Sequence, residues 1–161
     1  MKTRLDDFQI KRILSLPKPL PENYQESLLP RPKRGHAERE LDIHTTEGTE
    51  FRIIVRQSLF NPLDFSVILA YRIPKTNQVF RLKRYNGKSH EHENKLEGVK
   101  FYDYHVHTAT ERYQDMGFRE DAYAEPTDRF VDLKSAMRCM LRDCGFEIPK
   151  PFQPGFFDEE I

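Results

Sequence analysis

Cysteine, glycine and long apolar runs are scarce in this chain of 161 residues. Its two cysteines, Cys139 and Cys144, stand five positions apart in a helical pattern. That spacing suits a disulfide poorly, so we expect reduced thiols. The seven glycines form no phosphate-cradling loop, which argues against nucleoside triphosphate chemistry. No apolar run approaches the roughly 18 residues of a membrane span.

The opening residues, MKTRLDDFQI, become acidic too early for a signal peptide. Together with the missing apolar span and the unpaired cysteines, this predicts a cytoplasmic protein without a membrane partner.

Charges balance overall but are unevenly distributed along the chain. Residues 51–90 hold eight basic side chains and one acid, Asp64, whereas residues 91–161 hold nine basic and sixteen acidic ones. The basic block predicts either a local electropositive surface or ion pairs with acids of the C-terminal half. An electropositive surface would bind RNA or another polyanion.

Alternating apolar residues predict strands at residues 40–46, 50–58, 64–73, 78–85 and 100–108. Short turns between the first four favour an antiparallel meander with one buried face. Helical patterns lie at residues 4–15, with Phe8 on the apolar stripe, and at residues 132–144. The predicted fold class is therefore α+β: an antiparallel sheet of about five strands, with N-terminal and C-terminal helices packed on one face.

Five prolines between residues 17 and 34 exclude a regular element through that segment. We predict an N-terminal helix at 1–16, a proline-rich linker at 17–35, an α+β core domain at 36–147 and a C-terminal tail at 148–161. The linker either holds the first helix against the core domain or leaves it detached from that domain. The tail, with its aromatic and acidic residues, is either a strap across the domain or a flexible end. In the second helix, Cys144 should face the core and Cys139 should face outward.

Strand period also assigns polar side chains to the outward face of the sheet. Five basic residues would form a substrate track for a polyanion: Arg52, Arg56, Arg72, Arg81 and Lys83. Three tyrosines are candidates for stacking on unpaired bases: Tyr85, Tyr102 and Tyr104. Tyr85 shares the outward face with the track in this prediction.

Four of the six histidines form two His-x-His pairs, His90 with His92 and His105 with His107. Residues two apart on a strand point to the same side, so His105 and His107 should share a face. The other pair lies in a polar loop with Glu91 and Glu93, and this loop would close over the same site.

Three interpretations of these histidines are open. In the first, His105 and His107 are the general acid and base of phosphodiester cleavage, and Arg84 or Arg112 stabilises the charge that grows on the phosphate. This chemistry needs no cofactor. In the second, the two pairs bind a transition metal, with zinc the best match to the ligand type, although the spacing matches no specific motif. In the third, the histidines have no special role.

The chain contains the stretches RLKRYNGKSHEHENK, YDYHVHTATERY and AEPTDRFVDLKSAMRCM in that order. They give a strand, an Arg-Tyr-Asn step at Arg84, a loop with His90 and His92, the second pair at His105 and His107, and an amphipathic helix introduced by proline. This order, over residues 64–144, resembles the TumE-like toxin family of type II toxin–antitoxin systems. The resemblance implies a toxin that acts on RNA or translation and is held off by an antitoxin. It also implies functional roles for those four histidines and Arg84.

We therefore expect a small RNA-directed protein, ribonuclease-like and toxin-like in function, whose partners are RNA and an antitoxin or host protein, with a homodimer as a further option. One alternative is a non-enzymatic module of a phage or mobile element that binds a nucleic-acid-processing host protein. Another is a metal-dependent enzyme with a histidine-rich site.

Overall fold

A computed structural model describes residues 3–149 of the chain. In chain order the elements are α1 (Asp7–Ser15), β1 (Lys18–Pro19), α2 (Tyr24–Ser27), β2 (Arg31–Pro32), β3 (His36–His44), β4 (Glu50–Ser58), β5 (Phe65–Arg72), β6 (Val79–Asn86), β7 (His92–Asn94), β8 (Val99–Phe101), β9 (His105–Thr108), α3 (Glu111–Asp115), β10 (Ala124–Pro126), α4 (Leu133–Asp143) and β11 (Phe146–Glu147). Seven of the strands form one antiparallel sheet in the order β10-β9-β6-β5-β4-β3-β2, and β1–β11 and β7–β8 form two small two-stranded sheets. The α+β prediction is confirmed.

The predicted meander corresponds to β3–β6, and β4 has the bounds that the alternation indicated. The predicted fifth strand, at 100–108, is wrong as one element because residues 102–104 interrupt it. Its first part is β8, which pairs with β7 in a hairpin, and its second part is β9, which pairs with β6 in the main sheet. This division separates the hairpin from the sheet, so the hairpin can fold back over the strand that follows it.

Helix α4 covers one face of the sheet, where it packs against β5 and β6. Asp132 begins it with a capping box, in which the Asp132 carboxylate accepts from the Ser135 backbone N–H and the Ser135 hydroxyl reaches back to the Asp132 N–H. Cys139 is buried, contrary to its predicted outward position, and Cys144 is buried as predicted. Within residues 3–149, no helix combines the length and apolar content needed to cross a membrane.

The N-terminal helix and the proline-rich segment pack onto the same core. Ile10 and Ile13 are the buried side of α1, whereas Phe8, predicted on the apolar stripe, is 76% exposed. The proline-rich segment holds the helix against the domain. It contains three short elements, β1, α2 and β2, although the prolines were expected to exclude regular structure there. Tyr24 and Leu28 are buried in the core. Of the predicted tail, residues 150–161 lie outside the described residues.

A β-bulge in β6 changes which side chains face which side of the sheet. Leu69 lies opposite Lys83 and Ala70 lies opposite Arg81, so Leu82 is an extra residue on β6. The extra residue shifts the alternation by one position. Lys83 therefore turns to the core side with Leu69, contrary to its predicted outward position, and the residue after it, Arg84, turns to the opposite face.

Candidate metal centre

Three imidazoles meet on the face of the sheet opposite α4. Strand β9 carries His105 and His107 on that face, while Val106 between them packs against the core. The β7–β8 hairpin folds over the same face and brings His92 to them. The ring centroids are 4.9 Å apart for His105–His107, 5.2 Å for His92–His105 and 4.9 Å for His92–His107. The structure therefore joins three of the four predicted histidines in one cluster.

Both strand histidines donate a ring N–H to a backbone carbonyl. Nδ1 lies 2.8 Å from the Asp103 oxygen in His105 and 2.7 Å from the Asp121 oxygen in His107. Because a carbonyl oxygen only accepts, Nδ1 carries the proton in each ring. An Arg84 nitrogen also lies 3.5 Å from Nδ1 of His107, but two donors form no hydrogen bond with each other. The shorter contact, with the Asp121 carbonyl, therefore determines that Nδ1 is the protonated nitrogen. Nε2 of each ring keeps its lone pair.

His92 is oriented by the buried amide of Asn94. The amide donates to the Ala124 carbonyl at 2.7 Å and its oxygen accepts from the Ala124 N–H at 3.0 Å, which fixes the positions of its nitrogen and oxygen. The same oxygen lies 2.8 Å from Nε2 of His92. Nε2 is therefore the protonated nitrogen of His92, and Nδ1 keeps the lone pair.

Burial keeps the two strand imidazoles neutral. It lowers the pKa of His105 to about 4, although the hydrogen bond to Asp103 acts in the opposite direction. It lowers the pKa of His107 to about 2, and the positive charge of Arg84 lowers that pKa further. A ring with so low a pKa is not in the imidazolium form at pH 7 and cannot act as the general acid, which weakens the acid/base interpretation. Metal ligation, by contrast, requires the neutral ring.

The three histidines have the donor arrangement of a metal site. One ligand atom from each of His92, His105 and His107 lies within 4.8 Å of the other two. Ligating histidines typically donate their second ring nitrogen to a carbonyl or carboxylate, which holds the ring in place, and all three rings do so here. Zn–N bonds are about 2.0–2.1 Å long, so a zinc ion would draw the rings slightly inward. Three histidines with one open position is the ligand set of catalytic zinc sites.

The cluster opens into a cavity of about 310 Å³. Lys95 and Arg119 supply positive charge to its wall, and Asp64 and Glu93 supply negative charge. His90 also lines it, with Nδ1 3.1 Å from the Ser89 hydroxyl, but it does not belong to the three-histidine group. The cavity therefore borders all three cluster histidines, of which His105 and His107 are buried.

Arg84 reaches the cavity wall as one half of a buried ion pair. Its Nε donates to Oδ2 of the fully buried Asp121 at 3.1 Å. Nε of Arg119 lies 3.8 Å from the other carboxylate oxygen, Oδ1, which has no hydrogen-bond partner among the described residues. Since the Asp121 carbonyl also accepts from His107, this one residue positions both Arg84 and a cluster histidine.

Arg112 does not join the cluster. It pairs with Glu97 and lies over the rings of Tyr113 and Tyr123, with centroid distances of 5.3 and 5.6 Å. It is not among the residues that line the cavity. Its predicted contact with a phosphate at the histidines would require it to leave these partners.

The predicted basic track does not converge on the cavity either, since none of its members lines it within the described chain. Arg52 pairs with Asp42 at 2.8 Å and Arg72 with Glu50 at 3.1 Å. These acids precede the basic block in the sequence, whereas the expected partners lay in the C-terminal half. The members of the track are Arg52, Arg56, Arg72, Arg81 and Lys83.

The three tyrosines proposed for base stacking occupy different environments. Tyr85, predicted to face outward, is fully buried on the core side because of the bulge, and its hydroxyl donates to Asp143 at 2.6 Å. It cannot stack on a base. Tyr104 packs against Phe130, with ring centroids 5.8 Å apart. Tyr102 is 56% exposed and remains able to stack.

Sequence reasoning missed two residues that hold the cluster together, Asn94 and Asp121. Asn94 follows His92 by two positions, the same interval that separates the paired histidines, and this short-range spacing was a usable signal. Asp121 lies 14 positions from His107 and 37 from Arg84, so no short-range spacing linked it to these partners.

The comparisons with known proteins add no identification, because no family model, curated protein or solved structure matches the chain. The TumE-like resemblance therefore remains a prediction.

Removing the Asn94 amide should weaken metal binding more than it alters the fold. We expect Asn94→Ala to raise the Kd for zinc by roughly 10–100-fold, since His92 loses the bond that holds its ring. Asn94→Asp keeps the accepting oxygen and should recover part of the affinity. Titration with a competing chelator measures both constants, and unfolding in excess chelator measures stability separately. Equal zinc affinity in all three proteins would show that Asn94 does not position His92.

Proposed function

We propose that this protein is a metal-dependent enzyme whose metal centre is formed by His92, His105 and His107. One observation carries the proposal: a ring nitrogen of each histidine lies within 4.8 Å of those of the other two, and an N–H of each ring donates to a protein oxygen that holds the ring in place. The open cavity beside the cluster supports catalysis over a purely structural role, in which a fourth protein ligand would close the site.

The substrate we propose is a phosphodiester, with RNA as the biological form. His92, His105 and His107 would hold a zinc ion, which would supply polarisation of a phosphoryl oxygen and a bound water with a pKa of about 7. Lys95 and Arg119 lie on the cavity wall, where they would attract and orient the phosphate. Glu93, on the same wall, would accept the proton of the attacking water and return it to the leaving oxygen. The exposed ring of Tyr102 is the remaining candidate for base stacking.

A toxin-like role in the cytoplasm, with an antitoxin as partner, is the wider setting that we propose. It is supported by the order of the motifs and by two free, buried thiols. A short neighbouring gene whose product forms a complex with this protein would support it. The histidine cluster gives no comparable support to the two other predictions, a homodimer and a non-enzymatic module that binds a host protein.

Thermal unfolding with and without metal tests the centre. Zinc at about 100 times its Kd should stabilise the fold by about 2.7 kcal/mol, which raises Tm by roughly 5–10 °C for a chain of this size. Magnesium should give no such shift, because imidazole favours zinc, copper, iron and nickel over magnesium.

The substrate is tested separately, with labelled single-stranded RNA and the zinc-loaded protein. We expect salt-sensitive binding and cleavage that a chelator stops. A zinc shift without cleavage would refute the substrate and leave the metal centre standing. No shift and no bound zinc by elemental analysis would refute the centre itself.

A further inference from the structure

An apolar groove of about 580 Å³ lies on the helical side of the domain, away from the histidine cluster. It runs between α2 and α4. Leu28 and Leu29 line it from the first side, and Met137 and Leu141 line it from the second. Leu29 is 61% exposed at the edge of the groove, so its side chain is accessible to an occupant.

We propose that the chain's own residues 152–157 occupy this groove. Ile148 is a groove-lining residue, so the chain reaches the groove as it leaves the described part. Phe152, Phe156 and Phe157 follow within nine positions of Ile148. Nine extended residues span about 30 Å, more than enough to cross a groove of this size. Aromatic side chains bury about 150–250 Å² each, which suits an apolar site.

Charge complementarity fixes the direction in which the tail would continue. Phe157 is followed directly by Asp158, Glu159 and Glu160. Along the groove, α4 carries Lys134, Arg138 and Arg142, each four residues from the next and therefore on one stripe of the helix. The acidic triplet would pair with this basic stripe after the phenylalanines have entered the groove. A second copy of the chain or another protein could use the same surface, and the test separates these occupants.

The chain contains no tryptophan, so a single indole introduced by Phe156→Trp reports the environment of the tail. In the full-length protein we expect blue-shifted emission and several-fold weaker acrylamide quenching than in the unfolded chain. Leu29→Glu in the same background should shift the emission to the red and restore quenching. Phe8→Glu is the matched control, because Phe8 is also exposed but lies on α1 away from the groove, and it should change neither signal.

Two results would overturn the proposal. The indole could be quenched as freely in the folded as in the unfolded protein, with no effect of Leu29→Glu, which would place the tail outside the groove. Alternatively, protection could increase with protein concentration, which would mean that the groove binds the tail of a second copy. Protection that is independent of concentration and lost with Leu29→Glu supports docking within one chain. Since the groove and the cluster lie on opposite faces of the sheet, this result does not depend on the metal centre.

Discussion

Replacing both His105 and His107 by alanine is expected to abolish stoichiometric zinc binding and any zinc-dependent cleavage. Loss of a residue that merely supports a ligand weakens metal affinity about 10–100-fold, so removal of two ligands should exceed 100-fold. The remaining ring, His92, offers a single nitrogen to the ion. Isothermal titration measures the binding, and the RNA assay measures the activity. If the protein arrests growth on expression, the double substitution should relieve the arrest.

The matched control is His36→Ala with His44→Ala, which also removes two histidines from one strand. Both residues lie on β3 and pair with glutamates, His36 with Glu38 and His44 with Glu50, outside the cavity. Zinc binding should be unchanged in this variant. Because His105 and His107 are buried, a second variant with glutamine at both positions guards against misfolding, and circular dichroism verifies the fold. A folded glutamine variant that still binds one zinc ion would exclude these residues as the ligands.

The sequence was sufficient for the meander and for the shared face of His105 and His107, because both depend only on the two-residue period of a strand. It did not predict on which face of the sheet Tyr85, Lys83 and Arg84 lie. One extra residue, Leu82, reverses the alternation after it, and no local pattern marks where a bulge will form. The assignment of Tyr85 to a base-stacking surface failed for this reason alone.

The position of His92 depended on tertiary structure in a different way. Its loop was expected to close over the strand pair, and the residues that achieve this are Asn94 and the backbone of Ala124, thirty positions apart. His90, although it belongs to the same sequence pair, stays at the cavity wall. Two neighbouring histidines of similar local appearance therefore differ in role because only His92 bonds to Asn94, which is itself tied to the backbone of Ala124 on β10.

Lys18 is the clearest case of a residue whose importance only the structure reveals, and replacing it should produce the largest loss of stability. Its side chain is fully buried, and Nζ donates to the carbonyls of Leu14 at 2.7 Å, Leu16 at 2.9 Å and Cys144 at 2.5 Å. These carbonyls end α1 and α4, where helix dipoles favour a cation. Burial lowers the pKa of Lys18 to about 8, so the ammonium is still protonated at pH 7 and offers three donors to three acceptors.

Lys18→Met keeps the length of the side chain but leaves those three carbonyls without a donor. Each unsatisfied buried group costs about 1–3 kcal/mol, and the relief from burying a charge offsets part of the sum. We expect a net loss of about 3 kcal/mol, or a Tm lower by roughly 6–12 °C. Lys33→Met is the control, because Lys33 is exposed and its pair with Glu38 spans 3.6 Å, so its effect should stay below about 0.5 kcal/mol. Urea unfolding at pH 7 compares the three proteins. Equal stability of Lys18→Met and the unmodified chain would mean that desolvation of the ammonium cancels its contacts, and the two helix ends would then be held together by apolar packing alone.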